Sequence, residues 1–240
     1  MTTFIDTTFD FYSDTPVGRD PDSRSPTLRQ YHRCLWSKPL PNGIRFLLSD
    51  SHSKTYLYHS SSAGEFFLSS DALGHTYRYW KSMQHIVSEI PPTEMEAFLR
   101  VCSTIGAYII FPTKMINRQQ NINMARGTNS RIKDRFDLTL ECIRLHYVGA
   151  PSPLSATLQR YADFFDLFSS FERYTQFFLL QDLIQEGTQD IKFFLPFRGF
   201  EGSPTPRNVT EYRAYRDNVT RFVLSRNSRI SAFTSNETPA

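Results

Sequence analysis

RIKDRFDLTLECIRLHY, residues 131–147, decides the fold that we predict for this chain. Apolar side chains recur in it at intervals of three and four residues, as they do along the buried face of an α-helix. The residues of this face are Ile132, Phe136, Leu140, Ile143 and Tyr147. A second apolar side consists of Leu138, Cys142 and Leu145. We therefore expect a helix that packs over more than half of its circumference and lies in the middle of a helical layer.

The start of this predicted helix is basic, although the N-terminal end of a helix is already electropositive. A structural interpretation assigns ion pairs at helical spacing: Arg131–Asp134, Lys133–Asp137 and Glu141–Arg144. A functional interpretation assigns an anion pocket to the helix N-terminus, where free backbone amides and cationic side chains bind phosphate. The candidate anion-binding residues are Arg126, Gly127, Arg131, Arg135 and Lys38.

Three side chains are candidates for proton transfer to or from such a ligand: His32, Asp137 and Glu141. His32 is predicted to share a helix face with Arg29 and Trp36. It is therefore either a general base or a half-buried histidine packed against the indole. His59, and the pair Asp71 and His75, raise the same alternatives. None of these histidines has the spacing of a metal-binding motif, so the sequence predicts no metal ligands.

The N-terminal half begins with an irregular acidic lead-in, residues 1–24, which contains five aspartates and only two arginines. Within it, DPDSRS at 20–25 is similar to the start of a calcium loop but lacks the central glycine and the distal glutamate. Ser25 and Pro26 are the residue types of a helix N-cap and a first helical position. Three short stretches then predict an antiparallel β-meander: IRFLLS (44–49), TYLYHS (55–60) and EFFLSS (65–70).

Two helices and a buried strand are expected next. Ser70 or Asp71 is expected to cap a helix that runs to about Ser88, and PPTEMEAFLRVCSTIG (91–106) predicts the second helix. AYIIFP (107–112) predicts the strand. Residues 113–130 are rich in Asn, Gln and basic residues and predict a long polar loop, a type of segment that often carries function.

The C-terminal half is predicted to be mainly helical. The expected elements are helices over 131–147, 153–168 and 171–186, a strand in IKFFLPF (191–197), and a helix that begins at an Asn208–Glu211 capping box and ends near 226. Residues 226–240 are expected to be a flexible tail. These elements predict one α+β domain, residues 1–225, in which a small antiparallel β-meander packs against the helical half.

Composition excludes several classes of protein. The chain has 240 residues, of which 40% are hydrophobic, so it is globular and not disordered. Its three cysteines lack C-x-x-C spacing, which argues against a disulfide scaffold and a zinc site and favours the cytoplasm. No apolar run suggests a signal peptide or a membrane span. Nucleotide-loop, dinucleotide, hydrolase and zinc-protease motifs do not occur, so any cofactor stays unknown and enzyme activity stays undecided.

The segment from Lys192 to Arg229 carries eight basic and three acidic residues, although the net charge of the whole chain is only +3. Two tyrosines are interleaved with these arginines, as in surfaces that contact a nucleic-acid backbone. A solvated arginine-rich helix explains the same pattern.

Two longer phrases are similar to a known family: YSDTPVGRDPDSRSPTLRQYHRCLWSKPLPNG (12–43) and DRFDLTLECIRLHY (134–147). They resemble a bacterial family of domains of unknown function, over most of residues 9–186. The resemblance implies a cytosolic bacterial or phage-related setting and assigns no catalytic residues.

Two functions are compatible with these observations. In the first, the chain binds or acts on a phosphate-bearing ligand, a nucleotide or nucleic acid, through its arginine-rich helix N-terminus. In the second, it is a non-catalytic protein–protein interaction module in phage defence or a toxin–antitoxin setting. Neither function requires a membrane.

Overall fold

The structure confirms the predicted α+β class: an antiparallel sheet lies in the N-terminal half, and the C-terminal half is mainly helical. The computed structural model describes residues 5–51 and 56–236. The four strands follow one another across the sheet in chain order: β1 (Ser49–Asp50), β2 (Leu57–Ser61), β3 (Gly64–Ala72) and β4 (Tyr108–Pro112). This order is the predicted meander extended by the predicted strand β4.

Strand β3 connects the two sides of the sheet. Its residue Leu68 pairs with Leu57 of β2 and with Pro112 of β4, and every residue of β4 is buried. IRFLLS contributes less than predicted, because β1 has only two residues and Arg45 forms only an isolated bridge with Pro39.

Two helices precede the sheet, α1 (Pro21–Arg24) and α2 (Pro26–Trp36). Ser25 caps α2 as predicted, since its side chain accepts a hydrogen bond from the Leu28 amide at 3.0 Å. The acidic lead-in is more regular than predicted, because Asp20 caps α1 in the same way through the Asp22 amide.

The helix expected to start at Ser70 or Asp71 is absent, and this prediction was wrong. Both residues belong to β3, where they pair with Ile110 and Ile109 of β4, so sheet pairing overrides their capping propensity. Between Asp71 and Ser88 the only α-helix is the short α3 (Gln84–Val87), which follows a 3₁₀ turn. The next predicted helix forms as α4 (Pro92–Cys102).

The helical half contains more helices than predicted, and all of them except α10 are shorter than the predicted ones. They are α5 (Ile122–Thr128), α6 (Phe136–Tyr147), α7 (Ser155–Gln159), α8 (Ala162–Asp166), α9 (Phe171–Phe177) and α10 (Val209–Asn236). The predicted loop 113–130 contains α5, which Asn121 caps through the Met124 amide. IKFFLPF forms only an isolated bridge, Ile184↔Ile191. The helix expected to end near 226 continues to Asn236; residues 237–240 lie outside the described residues.

Helix α6 lies in the core as predicted but begins five residues later than expected. Lys133 and Asp134 have φ values of 47° and 63°, a left-handed conformation that a right-handed helix cannot contain. From Phe136 to Ile143 every residue of α6 is buried. The two predicted apolar sides of this helix are therefore both covered.

Helix α10 is fixed to the rest of the protein by Arg226, whose side chain is fully buried. The guanidinium donates hydrogen bonds to the carbonyl oxygens of Gly106 at 2.9 Å, Tyr108 at 2.7 Å and Phe178 at 2.9 Å. The Gly106 amide in turn donates to Asn227 Oδ1 at 2.7 Å. A Cβ at Gly106 would lie 2.5 Å from a carbonyl oxygen of α10, so only glycine permits this approach.

Within the described part of the chain, no helix combines the length and the apolar character that a membrane span requires.

Candidate functional site

A cleft of about 710 Å³ separates the lead-in segment from the end of β3, the loop after β3 and α4. Its volume lies within the usual range for small-molecule sites, about 300–1,000 Å³. Its charged and aromatic lining residues are Asp20, Asp22, Asp71, Asp134, His75, Arg19, Arg78, Tyr12, Tyr79 and Tyr108. We call this site the acidic cleft, because its carboxylates outnumber its arginines.

Three short elements position the carboxylates of the acidic cleft. Asp20 and Asp22 belong to the capped turn of α1, which packs against β3. Asp71 is the second-last residue of β3. Asp134 lies in the left-handed turn before α6. The four acids come from three separate parts of the sequence and converge only in the folded chain.

Arg126 of α5 lies beside the cleft and joins two of its acids. Its fully buried guanidinium pairs with the Asp71 carboxylate, lies 3.5 Å from Asp134 Oδ1, and donates to the Ala72 and Asp134 carbonyl oxygens at 3.1 and 3.0 Å. Its Nε donates to Thr139 Oγ1 at 3.2 Å. Burial lowers the pKa of Arg126, but the Asp71 and Asp134 charges outweigh burial and raise it overall. Arg126 therefore stays charged and holds both carboxylates in place.

Burial makes two of the cleft carboxyls weaker acids than usual. It raises the pKa of Asp71 to about 6 against the opposing charge of Arg126. Burial, together with the charges of Asp20 and Asp71, raises the pKa of Asp22 well above its usual value. Asp22 Oδ1 is buried and has no hydrogen-bond partner among the residues that the structure describes. Interacting carboxyls with raised pKa values can retain a proton near neutral pH, which is what general acid–base chemistry requires.

A chain of hydrogen bonds from the core ends at Ser70, next to Asp22. Trp36 Nε1 donates to His32 Nδ1 at 3.0 Å, so the proton of the neutral imidazole is on Nε2, which lies 3.0 Å from Ser70 Oγ. The Ser70 hydroxyl therefore accepts from His32, and its own hydrogen is available to Asp22, whose pKa it lowers. Burial lowers the pKa of His32 to about 3. His32 thus orients Ser70, and neither ring nitrogen is free to act as a base.

His75 is the histidine that reaches the cleft. Its Nδ1 accepts from the Tyr77 amide at 2.9 Å, which places the proton of the neutral ring on Nε2. Nε2 lies 3.8 Å from Asp134 Oδ2. Burial lowers the pKa of His75, although the Asp134 charge opposes it. The ring is therefore a neutral hydrogen-bond donor near neutral pH.

The other two proposed proton-transfer residues do not line this cleft, and each is bound by its own arginine. Asp137 is fully buried, pairs with Arg135 and accepts a hydrogen bond from the Phe194 amide at 2.8 Å. Glu141 pairs with Arg144 at 2.8 Å, as the structural interpretation predicted. The structure therefore does not bring His32, Asp137 and Glu141 to one site.

The remaining predicted ion pairs were wrong. Arg131 pairs with Glu201 at 3.1 Å and not with Asp134, because the left-handed turn breaks the helical spacing. Asp137 is bound by Arg135, which excludes the predicted pair with Lys133.

Of the predicted anion-binding residues, only Arg131 and Arg135 line one cavity, and Arg126, Gly127 and Lys38 lie elsewhere. Arg126 is turned into the core, and Arg131 is exposed. Gly127 lies within α5, where an added Cβ would be 3.6 Å from the Asp134 carboxylate. The Lys38 ammonium lies over aromatic rings, and its nitrogen is 4.7 Å from the centre of the Phe177 ring. The backbone amides of residues 131–135 all donate to partners within residues 126–132, so this turn offers them to no ligand.

Sequence reasoning missed the acids of the cleft. The sequence interprets Asp22 only as part of an incomplete calcium loop, and Asp71 as a helix cap or as the partner of His75. One signal could have identified Asp22: DPDSRS lies within the longer phrase that resembles a family. Surface loops usually vary among related proteins, so a loop that is part of such a phrase is a candidate functional segment. In the described residues no group of three or more His, Cys, Asp or Glu side chains is arranged to hold a metal ion.

Comparison with protein families places the chain in a family without an assigned activity. A family of unknown function, DUF6994, matches residues 5–230, and the chain belongs to this family. The match includes the acidic cleft and both phrases identified in the sequence. No curated protein and no solved structure matches the chain.

Proposed function

We propose that the acidic cleft binds a nucleoside-like ligand, an aromatic ring that carries a hydroxylated sugar, and that Asp22 and Asp71 exchange protons with it. The observation that carries this proposal is the division of the cleft into a partly buried floor of hydrogen-bond acceptors and an exposed rim of tyrosines and arginines.

The floor suits ligand groups that donate hydrogen bonds. The side chains of Asp71 and Asp134 are only 18% and 24% exposed, and Asp22 presents a carboxylate oxygen that no described residue satisfies. A buried acceptor without a donor costs about 1–3 kcal/mol, which a ligand hydroxyl or amino group would recover. Sugar hydroxyls are such donors, and carboxylates bind ribose hydroxyls in dinucleotide-binding folds.

The rim suits a flat ring. Tyr12 and Tyr79 are 48% and 79% exposed, although both are large aromatic residues. The Arg78 guanidinium already lies over the Tyr79 ring at 4.4 Å. Stacking of a base on an aromatic side chain contributes about 1–3 kcal/mol in other nucleic-acid-binding proteins.

The charges of the cleft select against highly anionic ligands. The cleft is lined by four aspartates and two arginines, and this excess of acidic residues makes it unfavourable for a polyphosphate. Only Arg19 and Arg78, at the rim, are placed to meet a single phosphate. We therefore expect nucleosides and nucleoside monophosphates to bind more tightly than triphosphates.

Calorimetric titration of the full chain with nucleosides tests this proposal. Asp22→Asn should weaken binding about tenfold or more, because the amide replaces the carboxyl that hydrogen-bonds to the ligand. Asp163→Asn, an exposed aspartate on α8, is the matched control and should bind like the parent. Failure of all nucleosides to bind the parent, or equal affinity of Asp22→Asn and the parent, would overturn the proposal.

The nucleic-acid version of the sequence hypothesis has less support. Arg213 and Arg216 pair with Glu94, Arg229 pairs with Asp182, and Arg226 is buried, so much of the C-terminal basic charge is engaged within the protein. The protein-interaction alternative, the cytoplasmic location and the single-domain assignment stay predictions.

A further inference from the structure

We propose that a second site, which we call the arginine pocket, binds a phosphoryl group or a similar oxyanion. It is a cavity of about 160 Å³ whose charged lining residues are Arg131, Arg135, Arg198, Arg207 and Glu211. The pocket lies where the loop 195–204 meets the starts of α6 and α10. It shares no lining residue with the acidic cleft, and the proposal does not depend on the ligand of that cleft.

One wall of the arginine pocket is rigid. Arg135 is 2% exposed, and its guanidinium is held by the Asp137 carboxylate and by the Pro204 carbonyl oxygen at 3.2 Å. Asp137 is itself fixed by the Phe194 amide. This network also ties the pocket loop to α6, so the cavity is preorganised before any ligand arrives.

The acidic lining residue Glu211 is firmly bound by Arg207, so neither of these side chains is free for a ligand. The cations available at the mouth are Arg198 and Arg131. Arg198 forms no hydrogen bond or ion pair with any residue in the described part of the chain. The Arg131–Glu201 pair spans 3.1 Å, but its side chains are 53% and 80% exposed. Exposed pairs contribute about 0–1 kcal/mol, so an incoming anion can replace Glu201 at little cost.

Size and geometry define the ligand class. A cavity of about 150 Å³ admits a benzene-sized molecule, so this pocket accepts one phosphoryl group and excludes a whole nucleotide. Guanidinium groups recognise phosphate oxygens through paired, charge-assisted hydrogen bonds. The same chemistry fits free inorganic phosphate and the phosphoryl end of a larger molecule whose remainder stays outside.

Calorimetric titration of the full chain with inorganic phosphate at low ionic strength tests the proposal. Arg198→Ala removes a cation that supports no contact in the described fold, and it should weaken phosphate binding about tenfold or more. Arg131→Ala should weaken it in the same direction. Arg173→Ala removes an exposed arginine of α9 outside the pocket and is the control for net charge. It should bind phosphate like the parent.

Two results would overturn the proposal: no phosphate binding by the parent, or equal weakening by Arg173→Ala and Arg198→Ala, which indicates general charge attraction. A parallel titration with ribose 5-phosphate distinguishes free inorganic phosphate from the phosphoryl end of a larger molecule as the ligand. In one outcome, ribose 5-phosphate binds more tightly than inorganic phosphate in titrations of the parent and of Asp22→Asn, and loses this advantage in Arg198→Ala. That result assigns the phosphoryl end of a larger ligand to this pocket. Equal binding of both supports inorganic phosphate.

Discussion

Arg226 and Arg126 are both fully buried, and their surroundings differ. Arg226 donates to backbone carbonyl oxygens, and burial lowers its pKa to about 9. Arg126 is bound by carboxylates of the acidic cleft, which hold it charged. Carbonyl partners cannot change their charge, whereas carboxylates can take up protons and contact ligands. The comparison assigns Arg226 to the fold and Arg126 to the support of a site.

The largest effect that we predict is at Arg226. Arg226→Met should lower the free energy of unfolding by about 3–5 kcal/mol, because the carbonyl oxygens of Gly106, Tyr108 and Phe178 lose a donor inside the core. Urea denaturation followed by circular dichroism measures this loss. Arg221→Ala, an exposed arginine on the same helix, should change stability by less than about 0.5 kcal/mol. A near-parental Arg226→Met would show that α10 does not depend on this anchor.

The second prediction concerns pH and the carboxylates around Arg126. Burial raises the pKa of Asp71 from 3.8 to about 6, so the folded state holds a proton that the unfolded state has released between these values. Folded stability must therefore fall as pH rises from about 4 to about 6, by up to about 3 kcal/mol for this group.

Asp71→Asn isolates this effect, because the amide cannot ionise. The stability difference between Asp71→Asn and the parent should move in favour of the variant as pH rises through the same window, and it should be constant above it. Urea denaturation at a series of pH values gives this difference. A difference that moves in favour of the parent would mean that the Arg126 charge, and not burial, controls Asp71.

Features that depend on neighbouring residues could be predicted from the sequence, and features that depend on distant contacts could not. The apolar repeat of residues 131–147 correctly predicted a buried α6, and Ser25–Pro26 predicted the start of α2, since both signals are local. The left-handed turn at Lys133 and Asp134 has no local signal of this kind, because neither residue is glycine.

The cleft could not be predicted for a related reason. Its acids are brought together by sheet pairing and by the packing of α1 on β3, which are contacts between distant residues. Arg226 is a second residue whose surroundings could not be predicted from the sequence. It was counted among basic surface residues, although in the fold it is the most completely satisfied arginine of α10. Charge patterns predict exposure only where the helix face is known.

The smallest effect is expected at Ser70, where the network of the core meets the cleft. Ser70→Ala removes the acceptor for His32 Nε2 and a hydroxyl donor next to Asp22, so it should cost about 1 kcal/mol of stability and raise the pKa of Asp22 further. His32 should remain neutral with its proton on Nε2, because Trp36 still donates to Nδ1. Nitrogen NMR of the histidine rings, recorded across the pH range, reports the protonation state and the tautomer of His32. Ser69→Ala, which removes only the acceptor for Asn123, is the matched control and should leave Asp22 unchanged. If His32 in Ser70→Ala gained a proton near its ordinary pKa of 6.5, the indole would not fix the tautomer, and His32 would return as a candidate base.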